Sequence, residues 1–277
     1  MIKDLQFIAP HGTSMPLIPN DYFILTDIDG FTTADSELST VTIPFVDGDV
    51  LNNIQARARE VTLYLRLKQD IGIETAKQYV LQFVKLKRPC KLYMERDGKP
   101  LELDGVVSYI NLARFEQGCT MQVSIHCSQP YWTDVDYIVA EVKNVIGLHH
   151  FPLAFPQALP FGVYDDDTTQ SVRNSGDVAC GMRIHIIALD TAVNPKISNA
   201  EGEYIGINDA LGADDEIIIS TFKGAKTITK NGVNVLNKIM AGSTFLQLET
   251  GVNEFHISAD SGLDSVYFRL VYKGLYI

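Results

Sequence analysis

Residues 61–96 read VTLYLRLKQDIGIETAKQYVLQFVKLKRPCKLYMER. The first seven alternate Val61, Leu63, Leu65 and Leu67 with Thr62, Tyr64 and Arg66, the period of a strand with one buried face. After a short polar break the period changes. Ala76, Tyr79, Val80, Phe83 and Val84 recur at the spacings of a single helical face, which predicts a helix over 73–87. Lys85 and Lys87 at its end suit the helix dipole, and Pro89 stops it.

Working outward, KLYMER, the Asp97-Gly98 pair and LELDGVVSYINL predict a hairpin, because Asp-Gly supplies the positive φ angles of a two-residue turn. The stretch CTMQVSIHC, 119–127, alternates again and sets Cys119 and Cys127 on the apolar side with Met121, Val123 and Ile125. The four cysteines, Cys90, Cys119, Cys127 and Cys180, contain no CxxC pair and read as buried thiols rather than a disulfide or metal site. Upstream, DIDG at 27–30 and DGD at 47–49 read as turns, where Asp and Gly supply local hydrogen bonds and positive φ. The predicted N-terminal domain, residues 1–142, is mostly sheet with one packed helix.

Residues 143–172 break the pattern. FPLAFPQALPFG spaces Pro152, Pro156 and Pro160 four apart among Phe151, Leu153, Phe155, Leu159 and Phe161. Proline at that density propagates neither a helix nor a central strand. The apolar side chains argue against a solvated linker, so Phe151, Leu153, Phe155 and Phe161 are expected to pack, either on the chain's own domains or on a partner.

From 173 to 277 the reading is all strand: CGMRIHIIA, DEIIIS, KTITK turning at Asn231-Gly232 into VNVL, STFLQLE, NEFHISA and VYFRLVY. Short alternating runs between turn residues predict an antiparallel sandwich or jelly roll of about 105 residues. The fold class expected for the chain is therefore mainly β.

Composition narrows the function. The 277 residues carry 34 acids against 23 bases, a formal charge of −11, which disfavours gripping phosphate backbones or an anionic membrane. The acid excess is spread over both halves, so neither is a charged tail. MIKDLQF lacks the basic and apolar runs of a signal peptide, and no stretch approaches 18 consecutive apolar residues, so synthesis in a cytoplasm without membrane insertion is expected.

The chemistry search is negative: there is no GxSxG, HExxH, P-loop or GxGxxG. His149 and His150 are adjacent, which on an extended chain sends them to opposite faces. Asp165, Asp166 and Asp167 lack the spacing of a calcium loop. His126 and His185 sit among apolar residues on predicted strands, in outward or interface positions. No catalytic residue, metal site or cofactor is expected. A carbohydrate-binding adhesion module is the alternative function, since sandwiches often bind sugars on aromatic platforms. The one tryptophan, Trp132, precedes the second domain, and that domain's aromatics fall mostly within strand patterns. A wall hydrolase or esterase is a third and weaker reading.

The order of features resembles one family. ARAREVTLYLRL, a helix ending KLKRP, a strand closing on CSQPYW, the linker FPLAFPQALPF, VRNSG and a terminal sandwich with ITKNGVNVL are similar to the distal tail proteins of long-tailed bacteriophages and prophages. The resemblance covers essentially the whole chain.

It implies a structural, non-enzymatic hub of the tail tip, or baseplate, in the virion. The N-terminal domain would build a homo-hexameric ring around the DNA channel, and a galectin-like C-terminal sandwich would point outward. Implied partners are the tail tube protein, the tail-associated hub or lysin protein, the tape-measure protein and receptor-binding proteins, with DNA only as passing cargo. Six copies would carry six times −11, or −66, a ring that repels DNA sliding through it. The alternating runs at 61–67 and 119–127 are expected to join sheets edge to edge between neighbours. Arg57, Arg59 and Glu60, just before the first run, are candidates for ion pairs between subunits, or else form a solvated charged turn.

Overall fold

The computed structural model describes residues 2–32, 35–45, 47–113, 119–142, 145–147, 162–164 and 169–277. They divide into two compact units, Met1–Val135 with Tyr276–Ile277, and Asp136–Leu275. The boundary expected at 142 therefore moves to 135. The strand Ile138–Val142 belongs to the second unit because it pairs with Val266–Tyr272 there.

In the first unit the strands are β1 (Ile2–Ile8), β2 (Ser14–Ile18), β3 (Phe23–Asp29), β4 (Ser36–Thr42), β5 (Asp49–Ala56) and β6 (Arg59–Leu67). After the helix α1 (Ile73–Phe83) come β7 (Pro89–Arg96), β8 (Lys99–Ala113), β9 (Thr120–Cys127) and β10 (Trp132–Asp134). One antiparallel sheet runs in the order β2-β1-β7-β8-β9-β6-β3. Its end strands, β2 and β3, are consecutive in the chain and do not pair. The strand periodicity reads through: Val61, Leu63, Leu65 and Leu67 of β6 and Met121, Val123, Ile125 and Cys127 of β9 all point into one core. The hairpin turn is as predicted, with Arg96 opposite Lys99 and φ angles of 53° at Asp97 and 82° at Gly98.

The edge-to-edge expectation for 61–67 and 119–127 is overturned. These segments pair with each other and are flanked by β3 and β8, so they are interior strands with no free edge. Their long apolar faces are what an interior position demands.

The helix is shorter than predicted, ending at Phe83 rather than 87. Val84 is extended and buried, and Lys87 takes a φ of 57°. The chain must leave the helix early so that Lys87 N–H can reach the Val107 carbonyl (3.0 Å) and enter β7. Ala76, Val80 and Val84 enter the core. Tyr79 stacks on Tyr22 at 3.9 Å between ring centroids and meets Phe83 edge-on at 5.3 Å.

In the second unit two antiparallel sheets face one core. One comprises Ile138–Val142, Val266–Tyr272, Met182–Ala188, Glu216–Ser220, Thr227–Lys230 and Val233–Asn234 in that order. The other comprises Thr169–Asn174, Gly251–Ser258, Lys196–Asn199 and Tyr204–Gly206. Ile184, Ile186, Ile217 and Phe268 of the first share a buried cluster with Val172, Ile197, Phe255 and Ile257 of the second, which makes the unit a sandwich. The stretch STFLQLE forms no strand of its own. It contributes an isolated bridge between Leu248 and Cys180. Within the predicted linker, Val145–Gly147 pairs with Gly162–Tyr164, a short ladder that flanks the proline run.

Candidate assembly surfaces

The largest departure from a closed fold lies between β3 and β6. There β4 and β5 pair only with each other, Leu38 opposite Ile54, Thr40 opposite Leu51 and Val41 opposite Val50. Every residue of the two strands is exposed except the half-buried Glu37. Leu38 is 60% and Ile54 58% exposed, and Phe45 near the tip stands fully in solvent. Val41, Ile43, Val50 and Leu51 are exposed with them. A two-stranded ribbon is marginal by itself in water, and a concentration of large apolar side chains outside the core marks an interaction site. We call this ribbon the arm.

Its base is fixed by the first unit's own core. Gly30, at a φ of 68°, turns the chain out of β3 so closely past β6 that a Cβ there would lie 2.0 Å from the Glu60 carbonyl oxygen. Next to it the Phe31 carbonyl accepts from Arg59 Nη1 (3.1 Å) and from Trp132 Nε1 (3.3 Å), and the Phe31 ring packs edge-on to Trp132. Arg59 is only 2% exposed, and burial pulls its pKa down.

The three predicted interface residues thus part company. Arg57 is exposed and pairs with Glu37 of the arm at 3.1 Å. Arg59 points inward, a result of its even spacing with Val61 and Leu63, so as placed it anchors the base of the arm and is no surface charge. Glu60 is exposed and accepts from Ser108 Oγ at 3.3 Å. Phe151, Leu153, Phe155 and Phe161 lie outside the described residues, as do His149, His150 and Asp165, Asp166 and Asp167.

DGD at 47–49 is the turn that its residues predict, with Gly48 at a φ of 89°. The arm on either side of it is not among the predicted elements. The signal was present: SELSTVT and DVLNNIQA carry β-branched and apolar residues flanking that turn.

A second surface lies just after α1. Lys85, Leu86, Lys87, Arg88 and Pro89 are consecutive exposed residues. Exposed Val106 stands directly opposite Pro89 in the sheet. No carboxylate pairs with Lys85, Lys87 or Arg88 among the described residues.

Some of the second unit's charged groups pair with one another. Asp215 accepts from the Gly212 N–H (2.9 Å) and Asn231 Nδ2 (2.8 Å) and pairs with Lys230 (3.0 Å). These donors hold its pKa down to about 2. Lys238 and Lys230 both reach Asp209, at 2.8 and 3.4 Å. His185 lies half-buried on the outward face of its strand, bonded to Glu216 Oε1 at 2.8 Å. All four cysteines are free and buried, and burial pushes the thiol pKa up to about 12 at Cys90 and about 11 at Cys127. Among the described residues no three His, Cys, Asp or Glu side chains stand together as a metal would require.

Comparison with known proteins agrees with this architecture. The crystal structure of the Dit protein of phage SPP1, a paradigm of the hub adsorption apparatus in phages infecting Gram-positive bacteria, superposes with a TM-score of 0.68 at 13% identity, covering 99% of this chain and 100% of that one. Chains of the phage p2 baseplate in its activated conformation, with calcium and with strontium, give TM-scores of 0.48 and 0.47 at 10% identity, with 100% of each chain covered. No curated protein matches the chain. Residues 175–272 match the family model of the siphovirus-type tail component, C-terminal domain. Through that domain the chain matches the siphovirus-type tail components, and along its whole length it has the fold of a distal tail protein.

Proposed function

We propose that the chain is a structural hub of the phage tail tip. Six copies close through their N-terminal units into a ring around the DNA channel, between the tail tube and the tail-tip proteins. The observation that carries this reading is the arm: a ribbon of uncovered apolar side chains on an otherwise well-buried unit requires a protein surface to cover it. The likeness of residues 175–272 to a tail component and of the whole fold to SPP1 Dit supports the choice of setting.

The role is architectural rather than catalytic. The galectin-like C-terminal sandwich presents its outer surfaces to receptor-binding proteins, while the tail-associated hub or lysin protein and the tape-measure protein meet the ring. DNA passes through without being held, as the charge of −11 per copy favours. The chain is made in the host cytoplasm and ends in the virion.

Gold-labelled antibodies against residues 169–277, imaged on intact particles, test this. Label confined to the far end of the tail supports the reading. Label along the tube or on the head, or particles without the polypeptide, overturns it.

A further inference from the structure

The arm and the basic segment after α1 are complementary in charge and in apolar surface, and they lie at one end of the sheet. The first point is charge. Residues 35–57 contain Asp35, Glu37, Asp47 and Asp49 against Arg57 alone, and Arg57 is already paired with Glu37. Lys85, Lys87 and Arg88 form an unopposed cationic cluster in a chain whose overall balance is acidic. The second is apolar surface. Leu38, Leu51 and Ile54 share one face of the arm by their pairing, and Leu86 and Val106 lie 51% and 42% exposed beside the cluster. An apolar centre with a charged rim is the usual anatomy of a specific protein interface.

The third is position. Glu60, at the arm's base, stands opposite His126. His126 stands opposite Val106, and Val106 stands opposite Pro89. These four residues make one row across the sheet, so the arm's base and the basic cluster lie at the same end of the strands. They are separated by three strand spacings, about 14 Å. The arm's base and the cluster are thus two distinct surfaces at the same end of the sheet. A contact joining them is then between two different patches, the head-to-tail kind that closes into rings.

Resting on the ring reading above, we propose that the arm, residues 36–56, of each copy seats on Leu86 and Val106 of the next copy, with Asp47 and Asp49 meeting Lys85, Lys87 and Arg88. The occupant of the basic apolar patch is thus a second copy of this chain. It covers the Leu38, Leu51 and Ile54 face of the arm and the Leu86 and Val106 patch at once.

Charge reversal tests this in the full chain by mass photometry and sedimentation. One variant carries Lys85→Glu, Lys87→Glu and Arg88→Glu, another carries Asp47→Lys and Asp49→Lys, and a third combines all five. Every position changed is exposed, and thermal melts establish that each variant folds. The proposal expects the wild type to self-associate, each single-sided reversal to weaken association by about tenfold or more, and the combined variant to recover most of that loss. Added salt should weaken the wild-type assembly.

If the reversed variants assemble as well as the wild type, the pairing is wrong while the ring stands. If both weaken and the combined variant does not recover, the arm and patch meet different surfaces and the proposal fails. A wild type that stays monomeric at every concentration overturns the pairing and the ring together.

Discussion

Three residues explain why the arm leaves the first unit where it does. Arg59 and Trp132 both donate to the Phe31 carbonyl, and Gly30 passes β6 with no room for a Cβ. Arg59→Ala removes a buried charge-assisted hydrogen bond and leaves a cavity beside Trp132, so it should cost about 2 kcal/mol, read as a lowered urea midpoint. Gly30→Ala should cost at least as much, because the methyl would overlap the Glu60 carbonyl and the positive φ is strained for any L side chain.

In the second unit, Asp215 gives a signed pH dependence. Its carboxyl ionises near 2 in the folded chain and near the ordinary aspartate value of about 3.9 when unfolded. Its stabilising contribution is therefore complete above about pH 4 and is lost as the pH falls toward 2. The stability difference between the wild type and Asp215→Asn should be constant from pH 5 to 7 and shrink below pH 4, measured by urea midpoints across that range. The thiols behave as a simpler check. Held protonated by burial, Cys90 and Cys127 should resist a thiol reagent at pH 8 in the native protein and react at once in denaturant.

Among the elements, the arm draws little stability from the rest of the chain, since β4 and β5 pair only with each other and bury no side chain fully. Limited proteolysis of the dilute chain should cut first within 36–56, and concentration into the assembled form should protect those bonds. Equal cleavage in both forms would mean that assembly leaves the arm uncovered.

The strands of the core and the helix were legible in the sequence because Val61, Leu63, Leu65 and Leu67, and Ala76 and Val80, announce their period by burial. Arg59 was misread because its charge suggested a surface, whereas its register with Val61 put it inside. The arm went unread because periodicity reports which face meets the chain's own core, and the arm meets none. The order of strands was also hidden: β6 and β9 pair although about 60 residues separate them, and local pattern carries no signal for such a partner. The helix end was missed by four residues because Lys85 and Lys87 are good helix formers, and the pull of β7 through Lys87 and Val107 is a tertiary effect.

At the scale of the molecule, two units of different design divide the work. The first buries a continuous apolar core and leaves one ribbon outside it. The second is a sandwich whose residues 175–272 match a tail component domain. In the proposed hub this division would let the first unit close the ring and the second present surfaces to partners. Sedimentation velocity of the full chain over a wide concentration range puts the proposed sixfold closure to the test. The 30.8 kDa chain should give way to a discrete species of six times that mass, with no open-ended polymer. A species that remains at the mass of one chain throughout, with or without tail tube protein, or that grows without limit, would contradict it.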